Sequence, residues 1–128
     1  KIDYSAIPRC FYCKPELASV GFTEEEALEK CGPIETATFP FMANSKTLIS
    51  NEKDGLVKII FQKDTKRILG IHILGLHATE LISGACVILK QALTLEQLRD
   101  VVFPHPTVAE VIKEAVLAGL GKPLHVKK

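Results

Sequence analysis

The sequence is short of most features that would mark a specialised chain. Four cysteines in 128 residues are too few for a disulfide scaffold. Free thiols in a reducing compartment are expected instead, the cytoplasm or, in a eukaryote, the mitochondrial matrix. Charge of one sign is not in excess. A formal net charge of +1 leaves no basic footprint, so neither nucleic acid nor an anionic membrane is an expected partner. No apolar run has the length of a membrane span, and the longest candidate, near 81–93, is interrupted by Lys90 and Gln91. The N-terminus carries no secretory pattern. A Gly-x-Gly-x-x-Gly fingerprint for dinucleotides is missing, because neither "GIHILG" nor "GLGK" fits it. The only methionine is Met42 and the chain opens on "KIDYSAIPRC", which predicts a piece of a longer protein or a processed chain.

What is present describes a folded domain over 1–128. Hydrophobic residues make up 47% and charged residues 24%, as expected for a chain with a modest core. Two short strands are expected around the Lys14-Pro15 break, since proline cannot donate to a ladder. Thr23 and Glu26 have capping-box spacing, the first turn is acidic and Gly32 is a stop, so a helix spans 24–31. "IETATFPF" alternates as a strand ending near Pro40, and "MANSKTLISN" is a short helix or turn. "GLVKIIFQ" and "RILGIHILG", joined by "KDTK", predict a hairpin.

After Gly75 the period becomes helical. Apolar residues at 81, 82, 85, 88, 89 and 92 share a helix whose other face holds Ser83, Gly84 and Cys86. With so little charge this helix is expected to be buried nearly all round, in part by another subunit or domain. "TLEQLRDV" is a short helix with a Thr-x-x-Gln cap. Thr107 opens the last helix, with Val108, Val111, Ile112, Ala115 and Val116 on one face. The order of elements predicts an α+β fold: a mostly antiparallel sheet with helices packed on one face.

Several side chains are candidates for chemistry. Cys10 and Cys13 have Cys-x-x-Cys spacing, but no second ligand pair accompanies them and the run looks extended, so no metal site is expected. A small thiol or metal protein is the weakest of the functional alternatives. His72 alternates with Ile71 and Ile73 as a packed or surface residue, and His77 sits at a helix start. His105 is flanked by Pro104 and Pro106, which restrict its backbone and allow a cis bond. Glu110 follows five residues later. Either Thr107 and Glu110 form a capping box and His105 merely precedes it, or Glu110 reaches back to the imidazole and fixes its tautomer, making an acid–base pair. Spacing alone favours the cap.

Matches along the whole chain change that balance. "HPTVAEVIKEA" resembles the C-terminal His-Pro-Thr-x-x-Glu motif of the pyridine nucleotide–disulfide oxidoreductases. "IPRCFYCKPELASVGFTEEEA", "FPFMANSKTLISNEKDGLVKII" and "RILGIHILGLHATELI" resemble further segments of that family, in the same order. Within it, "VIKEA" and "GKPLH" look most like the dihydrolipoyl dehydrogenase branch; glutathione and mercuric reductases are the nearest rivals, and the C-terminal cysteine pair of the latter is missing. Phe103-Pro104 stands where His-Ala is usual in that branch, and Cys13 replaces a usual threonine.

The resemblance implies an interface domain that follows FAD- and NAD-binding domains absent from this chain and pairs with its twin in a homodimer. It implies that His105 is the acid–base residue serving the partner subunit's active site, with Glu110 orienting it. The main chain of His105 and Pro106 would lie against the partner's flavin. The nearly uncharged 79–92 helix would suit a subunit contact. Dihydrolipoamide oxidation with NAD would be the reaction, and lipoyl-bearing components of 2-oxoacid dehydrogenase complexes the partners. Another reductase of the family, or a purely structural dimerisation module, are the alternatives. The family's redox Cys-x4-Cys pair is also missing, so no cofactor and no oxidoreductase activity are expected of this segment alone.

Overall fold

A computed structural model describes residues 4–126; the opening Lys-Ile-Asp and the two final lysines lie outside the described residues. Five antiparallel strands form one sheet in the order β1-β2-β5-β4-β3: β1 (Arg9–Phe11), β2 (Leu17–Gly21), β3 (Ile34–Pro40), β4 (Leu56–Gln62) and β5 (Ile68–Leu74). The helices are α1 (Glu24–Cys31), α2 (Ser45–Ile49), α3 (Ala78–Lys90), α4 (Leu95–Arg99) and α5 (Glu110–Gly119).

Alternation along the strands decides the layers. Val57, Ile59 and Phe61 of β4 and Ile71 and Ile73 of β5 point to one face and are buried there with Ile82 and Ala85 of α3 and Val111, Ile112, Ala115 and Val116 of α5. The main core is therefore a sheet against a layer of helices, with α3 packed on β2 and β5 and α5 on β3 and β4. On the far face, α1 covers a smaller patch, where Ala27 meets Ile60 and Leu69. The α+β fold with an antiparallel sheet follows the expectation, and so does the hairpin through "KDTK" between β4 and β5.

Local signals placed most ends correctly. Thr23 and Glu26 bond reciprocally at the start of α1, and Thr94 and Gln97 do so at α4. Gly21 ends β2 at a φ of +83°, with the Leu69 carbonyl oxygen 2.3 Å from where a Cβ would stand, so the turn into α1 requires glycine.

Within the single chain, helix α3 keeps an outward stripe of Glu80, Ser83, Gly84, Val87 and Lys90, with Val87 60% exposed. A single layer of helices has an outer side, and this chain covers only the inner one, so the burial expected from another subunit or domain lies beyond one chain. One expectation fails: Thr107 does not open α5. The helix begins at Glu110, with Ala109 in the capping position.

Candidate active site around His105

The segment carrying His105 is held from both sides. Upstream, Lys113 of α5 donates from Nζ to the Arg99 carbonyl and, at 2.6 Å, to the Val101 carbonyl. The same ammonium lies 5.8 Å from the Phe103 ring centroid, within cation–π range. Downstream, Asn44 is buried and donates from Nδ2 to the Thr107 carbonyl at 3.0 Å. Its Oδ1 accepts from Thr47 N at 3.0 Å and caps α2. The Thr47 hydroxyl donates to the Phe41 carbonyl and so braces the β3–α2 turn internally. Within the loop, the Thr107 hydroxyl donates to the Pro104 carbonyl at 2.8 Å. The His105-Pro106 peptide bond is cis, as is Lys14-Pro15.

Glu110 meets both demands that its spacing suggested. Its Oε1 lies 2.9 Å and its Oε2 3.2 Å from His105 Nδ1. Oε2 also accepts from Thr107 N at 2.8 Å. The expected capping box is therefore half made: the carboxylate reaches back to a free N–H, while the Thr107 hydroxyl has turned to Pro104. A carboxylate only accepts, so Nδ1 must carry the proton. In a neutral imidazole the lone pair is then on Nε2, which has no hydrogen-bond partner among the described residues. The His105 side chain is 68% exposed and that of Glu110 23%. The arrangement is a proton acceptor facing outward, held by a partly covered carboxylate on a helix. Pro106 is exposed beside it.

The other candidates disperse. Cys10 is half-buried on the core side of β1, whereas Cys13 is exposed and its thiol donates to the Pro15 carbonyl at 3.1 Å. Burial first, and then the neighbouring Cys10, push the Cys86 thiol above its ordinary value, away from the reactive thiolate. Cys31 lies apart. His72 faces away from Ile71 and Ile73, with Nε2 2.9 Å from the Phe22 carbonyl oxygen. His77 starts α3 in the left-handed region, without a capping side chain. Sequence reasoning missed Asn44, whose role depends on a partner 63 positions away, and Glu114, described below; "MANS" ahead of a short helix was the only local sign of the former.

Residues 7–116 match the family model described as "Pyridine nucleotide-disulphide oxidoreductase, dimerisation domain". The chain belongs to this family. Its dimerisation domain is 45% identical over 123 residues to a dihydrolipoyl dehydrogenase of Rhizobium etli, covering 96% of this chain and 26% of that protein. It is 43% identical over 124 residues to one of Bacillus subtilis, covering 97% and 26%. A leghemoglobin reductase of Glycine max is 42% identical over 122 residues, covering 95% and 23%. Among solved structures, LpdA of Mycobacterium tuberculosis superposes with a TM-score of 0.83 at 23% identity, over 91% of this chain and 26% of that one. The HOCl-induced flavoprotein disulfide reductase RclA of Escherichia coli gives 0.80 at 30% identity, over 86% and 25%. The dimerisation domain spans about a quarter of the length of these relatives. Among the described residues no helix is long and apolar enough to cross a membrane.

Proposed function

We propose that this dimerisation domain serves a dihydrolipoyl dehydrogenase-like flavoenzyme by presenting His105, oriented by Glu110, to the active site of the partner subunit. The observation that carries the proposal is the 2.9 Å contact between His105 Nδ1 and Glu110 Oε1, which leaves Nε2 outward. Similarity to dihydrolipoyl dehydrogenases over nearly the whole chain supports the substrate class, dihydrolipoamide or a lipoyl-bearing component of a 2-oxoacid dehydrogenase complex.

In this proposal the substrate dithiol loses a proton to His105 Nε2. The thiolate so formed attacks a disulfide sulfur, because the thiolate and not the thiol is the nucleophile. Glu110 keeps the other ring nitrogen protonated, so the accepting atom is always Nε2. The imidazole then releases its proton to solvent or to the leaving thiolate. FAD and NAD would meet this chain only at its margin: His105 and Pro106 are exposed and offer an edge to lie against, and the cleft beside them, about 20 Å³, is far smaller than a flavin. The flavin, bound elsewhere in the full-length enzyme, would carry electrons from the dithiol to the nicotinamide. This segment by itself would turn over no substrate.

The test is His105→Gln in the full-length enzyme. Dithiol turnover should fall by about 10²–10⁴-fold, the range for a positioned acid–base group, with flavin absorbance retained. Near-normal turnover would overturn the catalytic role and leave a purely structural dimerisation module. A second reading, another disulfide reductase of the family, draws on the likeness to RclA. Comparing dihydrolipoamide with oxidised glutathione as substrate separates the two.

A further inference from the structure

Helix α5 carries two carboxylates one turn apart, and each binds a histidine. Glu110 holds His105 from the loop before the helix. Glu114 Oε1 lies 2.9 Å from Nδ1 of His125, in the segment after it. Positions four apart share a helix face, and all four side chains line the same narrow cleft, with Asn44 at its wall. The two pairs differ in cover. Glu114 is 7% exposed, and its Oε2 is buried with no donor among the described residues.

A buried carboxylate is costly unless it is paired. Position 114 lies between Val111 and Ala115, both buried, where an apolar side chain would pack at no such cost. Packing therefore does not account for the glutamate; its contact with His125 does. That contact needs the chain to double back after α5. Gly121 allows the reversal with a φ of +70°, Lys122 N donates to the Leu117 carbonyl at 2.8 Å, and Val126 packs on the core.

We infer that Glu114 is a positioning residue of the His105 site: through His125 it fastens the segment after α5 across the cleft behind the His105–Glu110 pair and so keeps Glu110 on the imidazole Nδ1. This rests on the acid–base role proposed above. The cleft lies on the Nδ1 side of the ring, so the clamp acts on the aim of the imidazole and not on the path of the dithiol to Nε2.

The experiment uses the full-length enzyme with Glu114→Ala, Glu114→Gln and His125→Ala, and dihydrolipoamide as the probe. Losing a hydrogen bond to a charged group should speed amide exchange in residues 121–126 by about tenfold in the two alanine variants. It should lower kcat severalfold while KM for dihydrolipoamide changes less. Glu114→Gln keeps an acceptor for His125 Nδ1–H at the same reach and should restore both readouts. Unchanged exchange in the alanine variants overturns the fastening. Faster exchange with unchanged kcat makes the pair a structural clamp only and overturns the positioning role. If Glu114→Ala does not fold, His125→Ala decides alone, since it removes the bond from the exposed side (62% for this side chain). Failure of the acid–base role is seen separately, as near-normal turnover in His105→Gln with the exchange response to Glu114→Ala intact.

Discussion

Asn44 donates to the Thr107 carbonyl at 3.0 Å across 63 positions of sequence. This bond joins the β3–α2 turn to the loop that carries His105, and it makes the geometry of the histidine depend on a strand end far from it in the chain. Because Asn44 also caps α2, the two duties can be separated by substitution. Asn44→Ala loses both and should cost about 2 kcal/mol in denaturant unfolding. Asn44→Asp keeps the capping oxygen but sets a second acceptor against the Thr107 carbonyl. It should spare α2 and still lower dithiol turnover in the full-length enzyme; normal turnover in Asn44→Asp would show the tether to be dispensable.

Glu110 accepts from His105 and from Thr107 together, so the cap and the orienting role are not exclusive. Glu110→Gln keeps one accepting oxygen. Turnover in the full-length enzyme should fall by about tenfold or more, beyond what its loss of stability explains. Equal turnover with lowered stability would reduce Glu110 to a cap.

Glu16, in the β1–β2 connection, accepts from Thr79 N at 2.9 Å and from the Thr79 hydroxyl at 2.7 Å, and so caps α3 from another element. The Thr79 amide first, then its hydroxyl, hold the Glu16 carboxyl below its ordinary value, against opposing burial. A carboxyl group with a lowered value in the folded chain adds stability above its unfolded value, and loses it as pH falls through the folded one. Wild type should therefore lose stability on acidification below the ordinary carboxylate range. Glu16→Gln should be less stable at neutral pH, by about 1 kcal/mol, and its difference from wild type should shrink in acid. A constant difference across pH would place the effect in packing instead.

Gly21→Ala tests the turn into α1. The new Cβ would stand 2.3 Å from the Leu69 carbonyl oxygen and 2.4 Å from Leu89 Cδ2, at a φ of +83°. A loss of about 2 kcal/mol is expected, from strain and overpacking together, measurable as a lowered unfolding midpoint. No loss would mean that the β2–α1 turn shifts freely.

The local grammar of the chain was legible because its causes are local. Thr23 with Glu26 and Thr94 with Gln97 need only three-residue spacing to cap a helix, and the expected boxes form. The same grammar misplaced the start of α5. Thr107 and Glu110 have that spacing too, but the Pro104 carbonyl lies within reach of the Thr107 hydroxyl and takes it. The chain turns helical three residues later. Competition from a carbonyl three residues upstream, presented by the backbone path of the loop, is invisible in spacing alone.

Alternation of apolar residues and turn chemistry determined by themselves that this chain builds an antiparallel sheet with helices, and spacing set His105 five residues before a carboxylate. Only the tertiary structure decided that Glu110 serves the imidazole as well as Thr107 N, that Asn44 and Lys113 brace the loop, and that Glu114 is buried against His125. The physical reason is reach. Periodicity and capping act over a few residues of one element, whereas Asn44 with Thr107, Lys113 with Val101 and Glu114 with His125 join separate segments whose meeting depends on how the core packs.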